Sequence, residues 1–294
     1  MSINIGIVGA GKVGCALALG FKNEGLNISG IYSRSESSCK YLSNILGMDY
    51  GNNLADTVRR SNVIFLPVPD NNIEEAADSI IRSVDAKDIE NKTFFHLSGA
   101  LTSDALKSLK DSGAHTASIH PVQSFADKDN GWRCLYNICY GFEGEETAYG
   151  VARMLFDRFN GTIAIIGKEN KVLYHSAACF ISNYTVALSY ITSEILSRLG
   201  FDEEFANKAF LPLLRNTVDN LESYGSVSAL TGPISRGDLG TIEKHVSKLA
   251  DMDARLCEMY KILGEKTVEI ALKKGTVKLE EARKMRAVLS SKIP

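Results

Sequence analysis

The sequence predicts an α/β fold, in which a doubly wound and mostly parallel sheet is followed by an all-α C-terminal domain. Up to about residue 168, short apolar runs alternate with helical stretches, and this alternation is typical of a parallel sheet covered by helices on both faces. After Gly167 no convincing strand follows, and apolar residues recur at helical spacing. We therefore predict two domains, at 1–167 and 168–294.

The apolar runs of the first domain predict seven strands, and the amphipathic stretches between them predict six helices. The strands are expected at 3–8, 27–32, 62–66, 93–97, 116–119, 137–141 and 162–166. The helices are expected at 12–24, 36–47, 52–60, 71–83, 102–112 and 146–160. No clear helix separates the strands near 116–141, so the pattern leaves the far edge of the sheet open.

The second domain is predicted to contain five helices, at 169–199, 202–222, 239–263, 265–274 and 278–291. Gly200 is a natural C-cap for the first helix, and Asp202 can cap the next. The apolar stretch from Ala177 to Leu196 is interrupted by polar residues, among them Ser182, Asn183, Thr185, Ser189, Thr192 and Glu194, so it is not expected to cross a membrane. This domain is too small to bury every apolar stripe alone, and we expect a homodimer formed through it.

Charge and cysteine usage argue against several classes of protein. The 294 residues carry a formal net charge of -2 and their Lys and Arg are scattered, so no nucleic-acid partner is expected. The six cysteines form no C-x-x-C pair, which favours reduced thiols, a cytoplasmic protein and no metal site. The sequence opens in a strand without a basic n-region, which argues against a signal peptide.

The strongest local motif is a glycine-rich turn between the first strand and the first helix. It is a G-x-G-x-x-G pattern made of Gly9, Ala10, Gly11, Lys12, Val13 and Gly14. The first glycine permits the tight turn, the second lets a pyrophosphate approach the backbone, and the third lets helix and strand pack closely. Free amides at the helix N-terminus would then face the phosphates. The motif predicts a dinucleotide-binding Rossmann domain, the alternative being a simple tight turn.

The residues after the second strand indicate which dinucleotide binds. An NAD site usually has an acidic residue about 20 residues past the last glycine, and Arg34 stands there instead. A guanidinium can bind a 2′-phosphate in bidentate fashion, and Ser33 and Ser35 add hydroxyl donors. The sequence therefore predicts NADP(H) as the cofactor, the alternative being a solvated loop arginine.

Three more loops follow predicted strands, at the sheet edge where open α/β sheets bind ligands. Pro67 and Val68 follow the third strand and are expected to contact the cofactor. Ser98 follows the fourth and is expected to bind the nicotinamide amide or the substrate. His120 and Gln123 follow the fifth and are expected to line the substrate pocket. Each loop could instead serve only as a turn or cap.

Polar residues on the first helix of the second domain suggest a catalytic group. Lys171 and His175 are four residues apart and share one helix face, and Cys179 and Asn183 continue the row. A lysine there can polarise a carbonyl and supply a proton, and partial burial would lower its pKa. Asn183 lies in an otherwise apolar segment, where a buried amide needs partners. The alternative for Lys171 is an exposed lysine at a helix start.

A second polar concentration lies in the loop at 230–238, where Gly-Pro and Arg-Gly-Asp sequences predict an ordered turn between helices. Thr231 offers a hydroxyl, Arg236 a clamp for a carboxylate, and Asp238 an orienting or proton-handling acid. Asp238 could equally cap the following helix, and Arg236 could pair with it structurally.

Taken together, these segments resemble a family of predicted oxidoreductases that join a Rossmann-like domain to a helical domain long listed as of unknown function. The resemblance covers nearly the whole chain. It rests on the segments 9–14, 33–35, 96–100, 118–125, 171–183 and 229–238. The family belongs to the wider 6-phosphogluconate dehydrogenase-like group, together with ketopantoate and pyrroline-carboxylate reductases, and some members are an alternative type of ketopantoate reductase.

Comparison with the better-known ketopantoate reductases shows one agreement and three departures. Lys171 matches their lysine on the helix entering the second domain, but His175 stands in place of their asparagine. Ser98-Gly99 replaces an asparagine-glycine pair, and Asp238 is the candidate for their late-loop glutamate. The role of the family's lysine is therefore the one that the resemblance assigns best to this chain, at Lys171.

The resemblance implies an NADPH-dependent reductase that transfers hydride to a small 2-oxo acid, with ketopantoate, reduced to pantoate for pantothenate biosynthesis, as the preferred substrate. Lys171, with His175 or Asp238, would stabilise or protonate the developing alkoxide. Arg236 or Ser98 would hold the substrate carboxylate. Two alternatives remain: an imine reductase of the pyrroline-carboxylate type, and a non-catalytic NADP(H)-sensing protein.

Overall fold

The computed structural model of the chain describes residues 3–49 and 51–291. Seven strands form one sheet in the order β2-β1-β3-β4-β5-β6-β7, and all neighbours are parallel except β5 and β6. The strands are β1 Asn4–Val8, β2 Asn27–Tyr32, β3 Val63–Leu66, β4 Thr93–His96, β5 His115–Pro121, β6 Cys139–Gly144 and β7 Thr162–Ile165. The doubly wound, mostly parallel sheet predicted from the sequence is thus confirmed.

Helices cover both faces of this sheet. They are α1 Lys12–Asn23, α2 Glu36–Leu46, α3 Leu54–Arg60, α4 Ile73–Ser83, α5 Lys107–Asp111 and α6 Glu146–Phe156. Side chains of α1, α2 and α6 pack on one face in a core around Phe21, Phe65 and Phe156. Side chains of α3, α4 and α5 pack on the other face in a core around Ile64 and Phe94. Successive strand residues point to opposite faces, which is why adjacent Phe94 and Phe95 enter different cores.

The edge of the sheet that the sequence left open is an antiparallel addition. Only 3-10 turns, with no α-helix, connect β5 to β6 in the described chain, at 131–135. Ala117 pairs with Gly144 and Pro121 with Tyr140, so β6 runs back along β5. A connection without a crossover helix favours the antiparallel pairing observed here.

The chain after β7 is helical, as predicted, but several boundaries differ from the prediction. The helices are α7 Lys171–Ile181, α8 Asn183–Arg198, α9 Glu203–Lys208, α10 Leu211–Ser228, α11 Leu239–Met252, α12 Ala254–Lys274 and α13 Leu279–Leu289. The single helix predicted at 169–199 is divided at Ser182, a turn residue with a φ of -104° and a ψ of -70°. The helix predicted at 202–222 is two helices, and Pro212 lies in the first turn of α10, where its missing N–H is tolerated.

The break predicted before residue 265 lies instead at Asp253. This residue is extended, and its carboxylate caps α12 by accepting from the amides of Arg255 and Leu256. Gly264 continues the helix without interruption. A Cβ at Gly264 would lie 2.7 Å from a methyl carbon of Leu289, so this glycine permits close packing of α13 rather than ending a helix.

The chain divides into two compact units, Met1–Ala187 and Leu188–Pro294. The first contains the sheet, α1–α7 and the start of α8. The second has its own core, formed around Ile242, Val268 and Met285. The boundary predicted near Gly167 stays a prediction. Among the residues that the structure describes, no helix is long and apolar enough to cross a membrane.

Candidate active site

The glycine-rich turn between β1 and α1 forms a cradle with an open backbone. Gly9 has a φ of +132°, and a Cβ there would lie 2.8 Å from the Pro67 carbonyl oxygen. A Cβ at Gly14 would lie 1.9 Å from the Gly9 oxygen, so only glycine lets α1 start so close to the strand. At Gly11, by contrast, a Cβ would meet no described atom within 4 Å, so this backbone faces open space.

The first turn of α1 is available to an anion. Gly11 precedes the helix, and no described side chain caps it by a hydrogen bond. The first amides of a helix lack intrahelical acceptors and carry partial positive charge, so they attract phosphate oxygens. The motif thus has the two properties that a pyrophosphate requires, close backbone approach and free amides.

This cradle opens into a cavity of about 400 Å³ at the carboxyl ends of β1, β2 and β3. Eight of the twelve predicted cofactor residues line this cavity: Gly9, Ala10, Gly11, Ser33, Arg34, Ser35, Pro67 and Val68. Lys12 lines a neighbouring depression with Tyr41 and Lys128.

The four predicted cofactor residues that do not line this cavity are Lys12, Val13, Gly14 and Ser98. Val13 and Gly14 belong to α1 itself, so their contribution is to the start of the helix rather than to the cavity wall.

The loop after β2 carries the charged groups of this cavity. Asn52 holds the loop by accepting from the Ser33 amide at 2.9 Å and donating to the Ser33 oxygen at 2.8 Å. Ser35 caps α2 by accepting from the Ser38 amide. Arg34 is exposed and forms a 3.4 Å ion pair with Glu75, which also lines the cavity. An exposed pair of this kind is weak, so the guanidinium can exchange Glu75 for a phosphate.

Ser98 lies at the end of β4, where its hydroxyl organises the loop. Its Oγ donates to Asp70 Oδ2 at 2.7 Å and accepts from the amides of Ala100 and Leu101 at 3.1 and 2.9 Å. The side chain is buried. The hydroxyl is therefore engaged within the chain and is not free to bind a ligand.

His96, at the end of the same strand, is a fully buried structural residue. Its Nε2 lies 2.9 Å from the Thr102 oxygen, and its Nδ1 accepts from the Ser98 amide at 3.2 Å. Burial lowers its pKa to about 4. A neutral ring with both nitrogens engaged holds the loop but has no free group for chemistry.

Lys171 begins α7 and lies beneath this loop. Its side chain is 0% exposed, and Nζ donates to the Ser98 oxygen at 3.0 Å and to Ser118 Oγ at 2.7 Å. Burial lowers its pKa to about 8, against the opposing charges of Glu143 and Asp70. The alternative of an exposed lysine is wrong, because α7 directs the ammonium against the ends of β4 and β5.

Two imidazole rings flank Gly99. A Cβ on this glycine would lie 2.5 Å from His175 Nδ1 and 3.1 Å from His120 Nε2, so both rings pack directly against the glycine and a side chain there would collide with them. The ring centroids of His120 and His175 are 5.7 Å apart and the rings are perpendicular. His175 Nδ1 is buried and has no hydrogen-bond partner among the described residues. A buried nitrogen without a partner indicates a place for a ligand or water.

Sequence reasoning missed Tyr174, which completes this cluster. Its hydroxyl lies 3.0 Å from His120 Nδ1. Position 174 is adjacent to His175 in sequence, but a tyrosine on a helix gives no local signal of function. Its importance follows only from the packing of α7 on β5 and β6. Asn52 and Glu75 were missed for the same reason, because their contacts with Ser33 and Arg34 arise only in the fold.

The remaining predicted substrate residues lie elsewhere. Gln123 is exposed and accepts from the Ser124 amide. Asn183 is the first residue of α8 and is exposed, so the expectation of a buried amide is wrong: the apolar neighbours Ile181 and Tyr184 are exposed as well. The break at Ser182 separates Asn183 from the helix that carries Lys171 and His175.

Thr231, Arg236 and Asp238 belong to the second unit. Thr231 and Arg236 are exposed there. Asp238 caps α11, because its carboxylate accepts from the Thr241 amide at 3.1 Å and from Thr241 Oγ1 at 2.7 Å. These hydrogen bonds hold the pKa of Asp238 below its usual value. The capping role that the sequence left open is thus present, and a role in chemistry stays a prediction.

Comparison with known proteins agrees with this organisation. Residues 1–121 match the family model of a Rossmann-like domain, and residues 138–267 match that of a domain of unknown function, DUF2520. The chain joins these two domains. No curated protein matches the sequence.

Solved structures share the fold. The structure of a proposed NADP oxidoreductase, BF3122 from Bacteroides fragilis, is 21% identical, with a TM-score of 0.72 over 91% of this chain and 98% of that one. Protein TM1727 from Thermotoga maritima is 26% identical, with a TM-score of 0.69 over the same shares. A pyrroline carboxylate reductase from Plasmodium falciparum, solved with NADP bound, is 13% identical, with a TM-score of 0.57 over 98% of each chain.

Proposed function

We propose that this protein is an NADPH-dependent reductase of a small acid bearing a carbonyl or imine group. The observation that carries the proposal is the cavity in which an open glycine cradle faces Arg34. The residues present fit the cofactor. Gly9, Gly11 and the first amides of α1 would hold the pyrophosphate, and Arg34 with Ser33 and Ser35 would hold the 2′-phosphate.

The substrate is proposed to bind at Gly99, between His120 and His175. NADPH, when bound, supplies the hydride. The two imidazoles pack against this glycine, and the buried Nδ1 of His175, which has no partner among the described residues, is the polar atom proposed to meet a substrate oxygen or nitrogen. Lys171 is proposed to act through the loop: its ammonium holds the Ser98 oxygen and Ser118 and places positive charge beneath the site, although it has no exposed surface.

Among substrates, a 2-oxo acid is our first proposal, with ketopantoate the compound to test first. It is supported by the resemblance to alternative ketopantoate reductases and by the position of Lys171. Reduction of a cyclic imine is the second proposal, and the shared fold with a pyrroline carboxylate reductase favours it. The loop at Thr231, Arg236 and Asp238 is proposed to contribute to substrate binding, and a purely NADP(H)-sensing protein remains the third proposal.

The decisive test of the cofactor proposal is a fluorescence titration with NADPH and NADH. We expect NADPH to bind more tightly, and Arg34→Ala to weaken NADPH by about tenfold to 100-fold, because charge-assisted hydrogen bonds are lost, while NADH binding is unchanged. Arg153→Ala, an exposed arginine on α6 that pairs with Asp157, is the matched control. Equal affinities for both cofactors in the wild-type protein would contradict the proposal.

The reaction is tested by following NADPH oxidation at steady state with ketopantoate and with pyrroline-5-carboxylate. Turnover of the 2-oxo acid alone supports the first substrate proposal, and turnover of the imine alone supports the second. Tight NADPH binding with no oxidation across a broad panel of carbonyl and imine compounds would indicate the sensing protein instead.

A further inference from the structure

A hydrogen bond joins the Tyr174 hydroxyl to His120. The tyrosine Oη lies 3.0 Å from His120 Nδ1, and the rings are perpendicular with centroids 5.7 Å apart. In the described part of the chain this is the only hydrogen bond of the hydroxyl. Burial raises the pKa of Tyr174 to about 12, so the hydroxyl keeps its hydrogen. That hydrogen has one acceptor within reach, His120 Nδ1.

Gly141 keeps the hydroxyl in this position. The tyrosine ring lies against this glycine of β6, where a Cβ would be 2.3 Å from the hydroxyl oxygen. Any side chain at position 141 would therefore displace the hydroxyl from His120. The sheet thus holds the phenol where Gly141 of β6 pairs with His120 of β5.

The direction of this bond determines which nitrogen of His120 carries hydrogen. A neutral imidazole has one N–H, and if Nδ1 accepts, the hydrogen must be on Nε2. Nε2 and Cε1 are the ring atoms nearest to Gly99, at 3.1 and 3.0 Å from the position of a Cβ. With the hydrogen on Nε2, the ring edge beside Gly99 is the edge that carries the donor.

The surroundings of His120 keep the ring neutral. Burial lowers its pKa to about 4, and the nearby charges of Lys171 and His175 act in the same direction, while Asp70 opposes them. At neutral pH the ring therefore donates a hydrogen bond without carrying a charge.

We propose that Tyr174 is a positioning residue that holds His120 in the Nε2–H form, so that the site presents a neutral hydrogen-bond donor beside Gly99. The chemical class that fits is a ligand with an acceptor atom there, a carbonyl or carboxylate oxygen. A protonated imine nitrogen would place its own N–H against that donor. The assignment of a carbonyl or carboxylate oxygen as the bound atom rests on the proposed reductase function. The assignment of the Nε2–H form of His120 does not depend on that function.

The test of the tautomer is NMR of the full-length protein labelled with 15N-histidine, without cofactor or substrate. Two-bond correlations between ring protons and nitrogens distinguish a bare nitrogen from one that carries hydrogen. We expect His120 to show hydrogen on Nε2 and a bare Nδ1 at neutral pH. A hydrogen on Nδ1, or a doubly protonated ring, in the wild-type spectrum would overturn the proposal whatever the variants do.

The chain offers a matched control pair. His245 Nδ1 and Tyr260 Oη are also 3.0 Å apart, with rings at 87°, on α11 and α12. Tyr174→Phe should change the His120 signals to a tautomer mixture, and Tyr260→Phe should leave them unchanged. If Tyr174→Phe fails to fold, Gly141→Ala displaces the hydroxyl while retaining it and should produce the same mixture. An unchanged His120 tautomer in a folded variant of either kind would contradict the proposal.

Activity gives the readout that connects the tautomer to the substrate. Tyr174→Phe should lower kcat/KM for a 2-oxo acid about tenfold, the loss expected for one hydrogen bond, with NADPH affinity unchanged. Tyr260→Phe should retain wild-type activity. If the wild-type protein reduces no substrate but shows the Nε2–H form, the proposed function fails and the positioning role stands. If the protein is active and Tyr174→Phe shifts the tautomer without lowering kcat/KM, the link to the substrate is overturned.

Discussion

At the scale of single residues, burial separates groups that look equivalent in the sequence. His96 and His120 both lie near the ends of strands, but both nitrogens of His96 are engaged, whereas His120 faces Gly99 with Nε2. Lys171 was recognisable as a candidate from its place on a helix at the boundary. Its full burial, and hence its action through Ser98 and Ser118, could not be read from the sequence, because burial depends on how α7 packs on the sheet.

The pKa of Lys171 predicts a pH dependence of turnover. Because burial lowers it to about 8, the ammonium form is lost as pH rises through that value, and we expect kcat to fall above about pH 8. Stability changes in the other direction. An unfolded lysine titrates near 10.4, so between about pH 8 and 10.4 the unfolded chain binds the proton more strongly, and this residue's contribution to the free energy of unfolding rises with pH.

The matched variants are Lys171→Ala and Lys261→Ala. Lys261 is also buried, and its Nζ donates to the Ser291 oxygen at 2.6 Å in the second unit. Lys171→Ala should lower turnover about 100-fold or more while NADPH still binds, the range found when one stabilising donor is removed. Lys261→Ala should retain turnover in the folded fraction. Near-normal turnover of Lys171→Ala would remove this residue from the mechanism.

At the scale of elements, local signals located most starts of helices but not every end. Asp202 and Asp238 cap α9 and α11, as short polar side chains before helices indicate. The break at Ser182 and the continuity of α12 through Gly264 were not predictable. The first lacks any Gly or Pro signal. The second depends on contact with Leu289, a residue distant in sequence.

The cap of α11 predicts how substitutions of Asp238 behave. Asp238→Ala should lower the Tm by roughly 2–4 °C, because the cap to Thr241 is lost, whereas Asp238→Asn should retain the Tm, since asparagine caps about as well. The hydrogen bonds from Thr241 depress the pKa, so the contribution of the carboxylate is present above the unfolded pKa near 3.9 and is lost as pH falls through the folded value. Thermal melts of both variants check this.

Turnover of Asp238→Asn separates capping from chemistry. A variant with the wild-type Tm but greatly reduced turnover would support the proposed role of this acid at the substrate. Wild-type turnover at the wild-type Tm would show that Asp238 caps α11 and has no role in the reaction.

At the scale of the whole molecule, one helix lacks the burial that stabilises helices. None of the 18 residues of α10 is buried, although Leu214, Val218 and Leu221 recur at helical spacing and are 37%, 53% and 37% exposed. Helices in proteins derive most of their stability from a packed apolar face. The homodimer expected from the sequence would cover this face with a second copy of the chain.

Light scattering after size exclusion measures this directly. We expect a mass twice the 32.1 kDa of the chain for the wild-type protein, and a mass near 32.1 kDa for the Leu214→Glu, Val218→Glu double variant, because charges on the apolar face oppose association. Leu279→Glu, at an exposed leucine of α13, is the control and should keep the larger mass. A wild-type mass of 32.1 kDa at working concentrations would contradict the dimer.

By itself, the sequence determined the order of the seven strands along the chain, the helical second half, the glycine cradle and Arg34, because periodicity and turn chemistry are local properties. Only the tertiary structure decided the antiparallel pairing of β6 and the meeting of Gly99, His120, Tyr174 and His175. It also decided the burial of Lys171. These residues lie on β4, β5 and α7 or in the loops that follow, and what brings them together is the packing of α7 across the strand ends, an interaction between segments more than 50 residues apart.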